Sequence, residues 1–373
     1  MRILILTNSG TGLYLFRGEL LTRLIAEGHR VSVSVPSGEY DEEIRALGCE
    51  LLPCGLLERR SVNPLADVKL YGYYRRLLRD RKPDAVLTYT IKPDIYGGYA
   101  CRKEGIPYIS TVTGLGSVFE GKGWKKRLLR ALVVRMYRAA LMDCRCLFFQ
   151  NEANRRIFAD AGIRAGKTRL VNGSGVDLEA FPETPLPEGG DGTGGAPLQF
   201  VFISRILREK GIEEYLSAAA RIKKKYPRTV FHVCGAKEAD YTGRLDQAAA
   251  KGIVRYHGEV REMSSFLRGI HCVVHPSYYP EGMSNVLLEG ASSGRPVITT
   301  DHTGCRETVD DSETGFLVPP RDTDALTDAL ERFLQMTQQE RIAMGQAARL
   351  KMEREFDRRL VTDAYVEEIR RAH

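Results

Sequence analysis

Two cations lie close together where a strand-like segment meets a helix-like one. Arg205 and Lys210 fall in Ser204–Gly211, which follows the apolar run LQFVFIS and opens a helical pattern. Two cations beside the free N–H groups of a helix N-terminus suit the binding of a diphosphate. This motif by itself leaves open the alternative of two solvated charges on a surface loop.

A pair of glutamates provides a second set of groups that could bind a ligand. Glu281 and Glu289 flank Gly282–Asn285, a small polar stretch where a helix is predicted to begin. Its backbone N–H groups could bind a phosphate or a sugar hydroxyl, and Glu289 could accept both hydroxyls of a ribose. The alternative is a capped helix with surface acids. The apolar neighbours of Glu289 favour a binding role, because a carboxylate in such surroundings needs a partner.

The elements that must position these residues alternate between strands and helices along the chain. Strands are predicted at 2–7, 31–35, 84–89, 107–112, 146–150, 198–204, 229–235, 253–258, 272–276 and 296–300. After a turn at 9–12, helices are predicted up to Gly28, at 64–80, from Pro93, at 123–142, from Glu209, and at 239–250, 283–293, 322–335, 337–354 and 357–371. This alternation predicts an α/β fold with mostly parallel sheets covered on both faces.

A break in the pattern divides the chain. Residues 182–197 are nearly all Pro, Gly, acidic or small, and this composition predicts an interdomain linker that cannot pack. We therefore expect two Rossmann-like domains, 1–181 and 198–356, with a final helix over 357–373 that packs back on the first domain. Ligands of such folds usually bind at domain interfaces and at the carboxyl ends of the strands.

Composition and charge exclude several classes of protein. The 373 residues contain no apolar run near the ~20 that a spanning helix needs. The N-terminal run RILILT is expected to be a first strand rather than a secretory signal. The eight cysteines have no metal-site spacing and are expected to be buried, reduced thiols. Residues 1–190 hold 29 Lys and Arg against 21 Asp and Glu, so the N-terminal half should meet an acidic partner.

Together, Arg205, Lys210, Glu281 and Glu289 resemble the family 4 retaining glycosyltransferases. That family has the GT-B fold, in which two Rossmann-like domains face each other across a cleft. The resemblance covers essentially the whole chain. Further pieces agree with it in order and spacing: Gly10–Gly12, Asn172–Asp177, Gly294–Ile298 and Glu313–Val318.

The resemblance implies a role for each matching residue. Catalytic roles fall to Arg205 and Lys210, which would neutralise the leaving diphosphate, and to Glu281, which would hold the donor sugar. The residues implied to bind the nucleotide sugar are Gly12, Gly235, Val260, Gly282, Met283, Ser284, Asn285 and Glu289. The family implies same-face transfer without a metal ion or other cofactor, since the two cations replace a Lewis acid.

The acceptor should be chosen by the N-terminal half. The segments Thr88–Gly97 and Thr111–Phe119 resemble the subgroup that glycosylates undecaprenyl-diphosphate-linked sugars. Many family members carry a histidine in the second segment, where this chain has Thr113 and Gly114, so no histidine is assigned a catalytic role. The candidate acceptor-binding residues are Lys92, Thr113, Gly114, Lys122 and Lys125.

Residues 121–142 combine basic and apolar side chains. Seven Lys and Arg residues and no acid occur there, interleaved with Trp124 and aliphatic residues. A basic amphipathic helix of this kind can lie on an anionic membrane surface. The alternative is an ordinary helix whose apolar side packs on the sheet. The membrane interpretation predicts a cytoplasmic enzyme, peripheral on the inner face of the cell membrane.

The predicted activity is transfer of a hexose or N-acetylhexosamine from a UDP-sugar to a polyprenyl-diphosphate-linked sugar in bacterial glycan assembly. N-acetylgalactosamine is the donor sugar that we favour. A soluble acceptor is the alternative within the same enzyme class, and a GT-B epimerase or phosphorylase is a rival enzyme. A basic nucleic-acid-binding protein is the non-enzymatic rival, but no nucleic-acid module is recognisable, so nucleic acid is not an expected partner.

Overall fold

The computed structural model describes residues 1–57, 63–115, 119, 123–190, 195–237, 241–280 and 282–371. The side chains of Lys125 and Thr242 lie outside this description. The chain forms two compact units. The first contains residues 1–174, 280–282 and the C-terminal helix, and the second contains residues 175–279 and 283–357.

The first unit is built on a seven-stranded parallel sheet with the order β3-β2-β1-β4-β5-β6-β7. Its strands are β1 (Arg2–Leu6), β2 (Arg30–Val35), β3 (Glu50–Pro53), β4 (Ala85–Tyr89), β5 (Tyr108–Val112), β6 (Cys146–Phe149) and β7 (Thr168–Leu170). The central strands are continuous apolar runs because both of their faces are buried under helices. Ile3 of β1 pairs with Val31 on one side and with Ala85 on the other, which fixes the register.

Helices cover both faces of this sheet. They are α1 (Gly10–Ala26), α2 (Asp41–Ala46), α3 (Pro64–Arg81), a π-helical turn (Pro93–Gly97), α4 (Gly98–Glu104), α5 (Trp124–Ala140), α6 (Glu152–Asp160) and, from the C-terminus, α13 (Arg358–Arg371). One core cluster contains side chains of α1, α2 and α13. The other contains side chains of α3, α4, α5 and α6, so these helices form the opposite layer.

The second unit repeats the plan with six parallel strands in the order β10-β9-β8-β11-β12-β13. They are β8 (Gln199–Ile203), β9 (Val230–Cys234), β10 (Arg255–Tyr256), β11 (Cys272–His275), β12 (Val297–Thr300) and β13 (Gly315–Val318). Its α-helices are α7 (Ile212–Lys225), α8 (Thr242–Ala250), α9 (Met263–Leu267), α10 (Asn285–Ser292), α11 (Thr323–Gln335) and α12 (Gln338–Lys351). Two core clusters pack on the opposite faces of this sheet.

The N-terminal glycine segment differs from its prediction. Helix α1 begins at Gly10, so Gly12 lies in the first helical turn rather than in a turn before the helix. The hydroxyl of Ser9 accepts a hydrogen bond from the Gly12 N–H (3.0 Å) and caps the helix. Serine is a favourable N-cap because its oxygen satisfies an N–H that has no partner within the helix.

The segment predicted as a linker is bound to the second unit over its described residues. Arg295 is fully buried, and its guanidinium donates to the Thr184 carbonyl (2.8 Å) and the Thr184 hydroxyl (2.7 Å). Arg341, also buried, donates to the Gly189 carbonyl (3.4 Å). Backbone carbonyls can satisfy a buried guanidinium, so a segment with few apolar side chains can still be held in place.

Helix α13 completes the core of the first unit. The ring of Tyr365 is buried and stacks on Phe148, with 4.2 Å between the ring centroids. Its hydroxyl lies 2.8 Å from that of Thr111, at the end of β5. All eight cysteines are buried free thiols, which confirms that prediction.

Candidate functional site

The segment Ser204–Gly211, which carries Arg205 and Lys210 and is called the basic loop below, follows β8 in the second unit. Ile206 pairs with Lys237, and a 3-10 turn at Arg208–Lys210 leads into α7. Gly211 joins the 3-10 turn to α7 with φ +80°, and a Cβ at this position would overlap the carbonyl oxygen of Pro276. Only glycine fits this conformation without strain, because L side chains rarely adopt positive φ. The turn therefore fixes Lys210 at the carboxyl edge of the sheet.

Lys210 is held in place by its surroundings. Its side chain is buried, and its ammonium group lies 4.9 Å from the centroid of the Tyr279 ring. A cation over an aromatic face is stabilised by the quadrupole of the ring. The Tyr278 N–H donates to the Glu209 carbonyl (2.8 Å), so the segment after β11 is tied to the basic loop. Arg205 is half-buried on the same loop.

Two of the residues predicted to bind the nucleotide sugar, Gly235 and Val260, follow β9 and β10. Gly235 has φ +130°, and a Cβ there would overlap the Ser204 carbonyl oxygen, next to Arg205. Its N–H donates to the Gly258 carbonyl (2.7 Å), which joins the two loops. Val260 is half-buried beside a core cluster. The structure thus brings Gly235 next to the basic loop.

The small polar stretch leads into α10. Met283 and Ser284 are buried, and the Ser284 N–H donates to the Gly304 carbonyl (2.8 Å). Asn285 is the first residue of the helix, and its side-chain carbonyl oxygen is buried without a hydrogen-bond partner among the described residues. Glu289, one helical turn further on, is half-buried in the same helix. Glu281 lies outside the described residues.

These positions share one edge of the second sheet. The basic loop follows β8, Gly235 follows β9, and α10 follows β11, and parallel strands place their carboxyl ends together. Two cations, loop N–H groups and a half-buried carboxylate can bind a nucleoside diphosphate there. Cations held by protein packing can also stabilise negative charge as it develops on a departing diphosphate.

Two of the candidate acceptor residues, Lys92 and Thr113, lie at the corresponding edge of the first sheet. Lys92, between β4 and the π-helical turn, forms an ion pair with Asp67 of α3 (2.9 Å). The Thr113 carbonyl, after β5, accepts from the side-chain amide nitrogen of Gln150 (3.1 Å). Gly282, which belongs to this unit, accepts from the Asn151 amide through its carbonyl (2.6 Å). Lys122 and the side chain of Lys125 lie outside the described residues.

Arg17 is a residue of this edge that the sequence analysis missed. It is buried, and its guanidinium carbon lies 5.6 Å from the Tyr89 ring centroid and 5.4 Å from that of Tyr365. It donates to the amide oxygen of Gln150 (3.2 Å), whose nitrogen holds the Thr113 carbonyl. An arginine in the apolar helix α1 is the only signal that the sequence offers for it.

Asp94 is the second missed residue. It is fully buried in the π-helical turn, and its carboxyl accepts from the Thr88 hydroxyl (2.6 Å) at the end of β4. Burial raises the pKa of Asp94 well above its usual range. The contact ties the loop that carries Lys92 to the sheet.

Helix α5 has a buried and an exposed side. Val133, Tyr137 and Ala140 pack into the core, whereas Trp124 and Leu128 are exposed. One side of the helix therefore packs as the ordinary-helix alternative predicted, and the other side is left exposed. Among the described residues, no helix is long and apolar enough to cross a membrane.

Comparison with known proteins agrees with this architecture. Residues 10–173 match the family model of the glycosyl transferase 4-like domain, and residues 192–351 match that of glycosyl transferases group 1. The chain is 25% identical to the N,N'-diacetylbacillosaminyl-diphospho-undecaprenol alpha-1,3-N-acetylgalactosaminyltransferase of Campylobacter jejuni, covering 90% of each protein. It is 27% identical to the UDP-Gal:alpha-D-GlcNAc-diphosphoundecaprenol alpha-1,3-galactosyltransferase of Escherichia coli, covering 80% of this chain and 77% of that one.

Solved structures share the fold. HepE of Anabaena, crystallised with UDP, superposes with a TM-score of 0.77 at 17% identity, covering 98% of this chain and 99% of that one. Sucrose-phosphate synthase of Thermosynechococcus elongatus superposes with a TM-score of 0.82 at 19% identity, covering 100% of this chain and 98% of that one. Between them the two family models span most of the sequence, in the order of the two units. The chain therefore belongs to the GT-B glycosyltransferases that join a glycosyl transferase 4-like domain to a group 1 domain.

Proposed function

We propose that this glycosyltransferase transfers a hexose or N-acetylhexosamine from a UDP-sugar to an undecaprenyl-diphosphate-linked sugar in bacterial glycan assembly. One observation carries the proposal: the likeness to an N-acetylgalactosaminyltransferase acting on such a lipid extends over 90% of both chains. The E. coli relative, a galactosyltransferase, also acts on a sugar linked to diphosphoundecaprenol. The two relatives share the class of acceptor but differ in donor sugar. They therefore support the lipid-linked acceptor more strongly than they support any one donor sugar.

The donor is a UDP-sugar, and N-acetylgalactosamine is the sugar we favour. Two comparisons support UDP as the nucleotide of the donor: the E. coli relative uses UDP-Gal, and HepE was crystallised with UDP. Arg205 and Lys210 bind the diphosphate, and Glu289 binds the ribose. The loop at Gly235 contacts the base. The polar start of α10 binds the donor sugar.

Transfer proceeds with retention of the anomeric configuration. The bond between the anomeric carbon and the diphosphate oxygen breaks, and its electron pair leaves with UDP. The acceptor hydroxyl attacks the same face of the sugar, and its proton passes to the departing phosphate oxygen. Arg205 and Lys210 stabilise the charge on UDP, a role for which one preorganised donor contributes about 2.7–4 kcal/mol.

The reaction uses no metal ion and no other cofactor in this proposal. A cation pair next to the α7 N-terminus can supply the charge that Mg²⁺ supplies in other transferases. The expected result is full activity in EDTA. An activity that EDTA abolishes and Mg²⁺ or Mn²⁺ restores would refute this part of the proposal.

The protein acts as a peripheral enzyme on the cytoplasmic face of the membrane. Helix α5 presents Lys126, Arg127 and Arg130 on its exposed side together with Trp124. Each basic residue near an anionic leaflet contributes about 1 kcal/mol. Replacing these three residues by Glu should release the enzyme from vesicles containing phosphatidylglycerol. Each single reversal in α5 should already weaken binding, whereas the single reversal Lys224→Glu, on the exposed surface of α7, should leave binding intact. Undiminished binding of the triple variant would refute the docking role of α5.

The decisive experiment measures UDP release from a panel of UDP-sugars, with and without undecaprenyl-diphosphate-linked acceptors in detergent. Release from one UDP-sugar only in the presence of the lipid acceptor is the expected result. The anomeric configuration of the product, read by NMR, tests retention.

Other outcomes separate the alternatives. Tight UDP binding without transfer to any lipid acceptor would refute the lipid and indicate a soluble acceptor. If no nucleoside diphosphate raises the melting temperature of the protein, the donor site is refuted, because a ligand that binds the native state stabilises that state.

A further inference from the structure

The most exposed large apolar side chains among the described residues come in two pairs. They are Leu65 (75% exposed), Trp124 (71%), Val68 (68%) and Leu128 (67%). Leu65 and Val68 lie in the first two turns of α3, and Trp124 and Leu128 lie in the first two turns of α5. Single exposed apolar residues are ordinary, but a concentration at two helix starts calls for an explanation.

The two helix starts lie at the same end of one layer. Helices α3 and α5 contribute side chains to the same core cluster and therefore cover the same face of the first sheet. Each runs antiparallel to the strand that precedes it, so both begin at the carboxyl edge of the sheet. Both also pack against the π-helical turn Pro93–Gly97, which lies between them. Helices in contact are 8–10 Å apart, so the two pairs are separated by about 20 Å.

Among the described residues, the exposed charges at these two helix starts are basic. Lys69 in α3 and Lys126, Arg127 and Arg130 in α5 are exposed at the same end. Asp67, the acid in the first turns of α3, forms the ion pair with Lys92 and adds no free negative charge. Apolar side chains ringed by cations match an anionic lipid surface, because the chains enter the interface while the cations meet the headgroups.

We propose that the first two turns of α3, through Leu65 and Val68, are a second membrane-docking element that acts together with α5 on an anionic bilayer. The inference rests on the proposed function and extends it to a part of the chain outside residues 121–142. Two contacts resist tilting, whereas one helix alone could rotate about its axis. The loops that carry Lys92 and Thr113 leave the sheet at this same edge, so the headgroup of a lipid-linked acceptor would enter beside them.

The single tryptophan of the sequence provides the first test. On wild type, phosphatidylcholine vesicles containing phosphatidylglycerol should shift the Trp124 emission to the blue. Moving the tryptophan to α3, as Val68→Trp in a Trp124→Phe background, should give a similar shift and quenching by brominated lipid. The control Leu350→Trp in that background places the tryptophan at a site of similar exposure on α12 (61% against 68%) and should give neither the shift nor the quenching. Absence of shift and quenching at position 68 would overturn the proposal.

Binding measurements provide the second test. The pair Leu65→Ser with Val68→Ser should weaken vesicle binding at least about tenfold, because two apolar side chains no longer enter the interface. The control pair Ile342→Ser with Leu350→Ser, on α12, should bind as wild type does. Equal binding by the α3 variant, or equal loss by the control, would overturn the proposal. A dimer that the α3 pair dissociates without changing vesicle binding would also overturn it, in favour of self-association.

The assay in detergent separates this inference from the proposed function. The α3 variant should keep its melting temperature and its transfer rate to a detergent-dispersed acceptor while losing rate on acceptor embedded in vesicles. If wild type transfers nothing in detergent, the proposed function fails, whatever the vesicle results. If wild type transfers in detergent and the α3 variant keeps its rate on vesicles, only the docking role of α3 fails.

Discussion

Replacing Lys210 with methionine should reduce kcat without unfolding the protein. Methionine keeps the length of the buried side chain and removes its charge, so the packing around position 210 is largely conserved. If Lys210 stabilises the departing diphosphate, the change removes one preorganised donor. The expected cost is about 2.7–4 kcal/mol, or a fall of about 10²- to 10³-fold in kcat.

The Tyr279 ring allows a finer estimate. Its centroid lies 4.9 Å from the Lys210 ammonium group, within the range of a cation–π contact. Such contacts contribute about 0.5–2 kcal/mol, with the larger values at desolvated sites, so Tyr279→Leu should lower kcat by about 2- to 30-fold. In a Lys210→Met background the same change should cost much less, because the contact is already lost.

The assay is steady-state UDP release with saturating UDP-sugar, and the melting temperature of each variant reports on its fold. Lys224→Met is the control, because Lys224 is an exposed lysine near the end of α7. A folded Lys210→Met variant that keeps wild-type kcat would refute the electrostatic role. Equal costs of Tyr279→Leu in both backgrounds would show that the ring does not act through Lys210.

Three further predictions follow from the described contacts. Glu289→Ala should lower kcat/KM for the UDP-sugar more than tenfold in a folded protein; unchanged turnover would remove the ribose assignment. Gly211→Ala should destabilise the protein by more than about 2 kcal/mol in urea unfolding, because φ is +80° and a Cβ would overlap the Pro276 carbonyl, whereas Gly243→Ala, with open space around it, should not. Burial raises the pKa of Asp94, so the folded state retains a proton that the unfolded state releases, and wild type should lose stability relative to Asp94→Asn as pH rises from about 4. Parallel stability profiles of the two proteins between acid and neutral pH would contradict that assignment.

Much of the second unit could be predicted from local sequence. The run LQFVFIS followed by Ser204–Gly211 identifies a strand, a basic loop and a helix start, because each depends on neighbouring residues alone. The glycine at position 211 belongs to the same local pattern, and its positive φ agrees with the sharp turn before α7. The placement of Gly235 beside that loop follows from strand order in a parallel sheet.

The acceptor edge was less accessible to sequence reasoning. Lys92 was predicted to meet the acceptor diphosphate, yet in the structure it is paired with Asp67, on a helix that precedes it by a whole strand. Gly12 was predicted to bind the nucleotide sugar, and in the structure its N–H donates to the Ser9 hydroxyl as part of an N-cap. Both outcomes depend on a nearby partner residue. The periodicity of the sequence does not tell which residues become neighbours.

The sequence by itself determined the alternation of strands and helices, the two Rossmann-like units and the cationic loop at Arg205 and Lys210. These features rest on hydrophobic period and on residues adjacent in the chain. Only the tertiary structure decided the burial of Arg17 and Asp94 and the contacts that α13 makes, such as the 2.8 Å between the Tyr365 and Thr111 hydroxyls across 254 residues. Burial and pairing over such separations arise from the packing of whole elements, which no local pattern specifies.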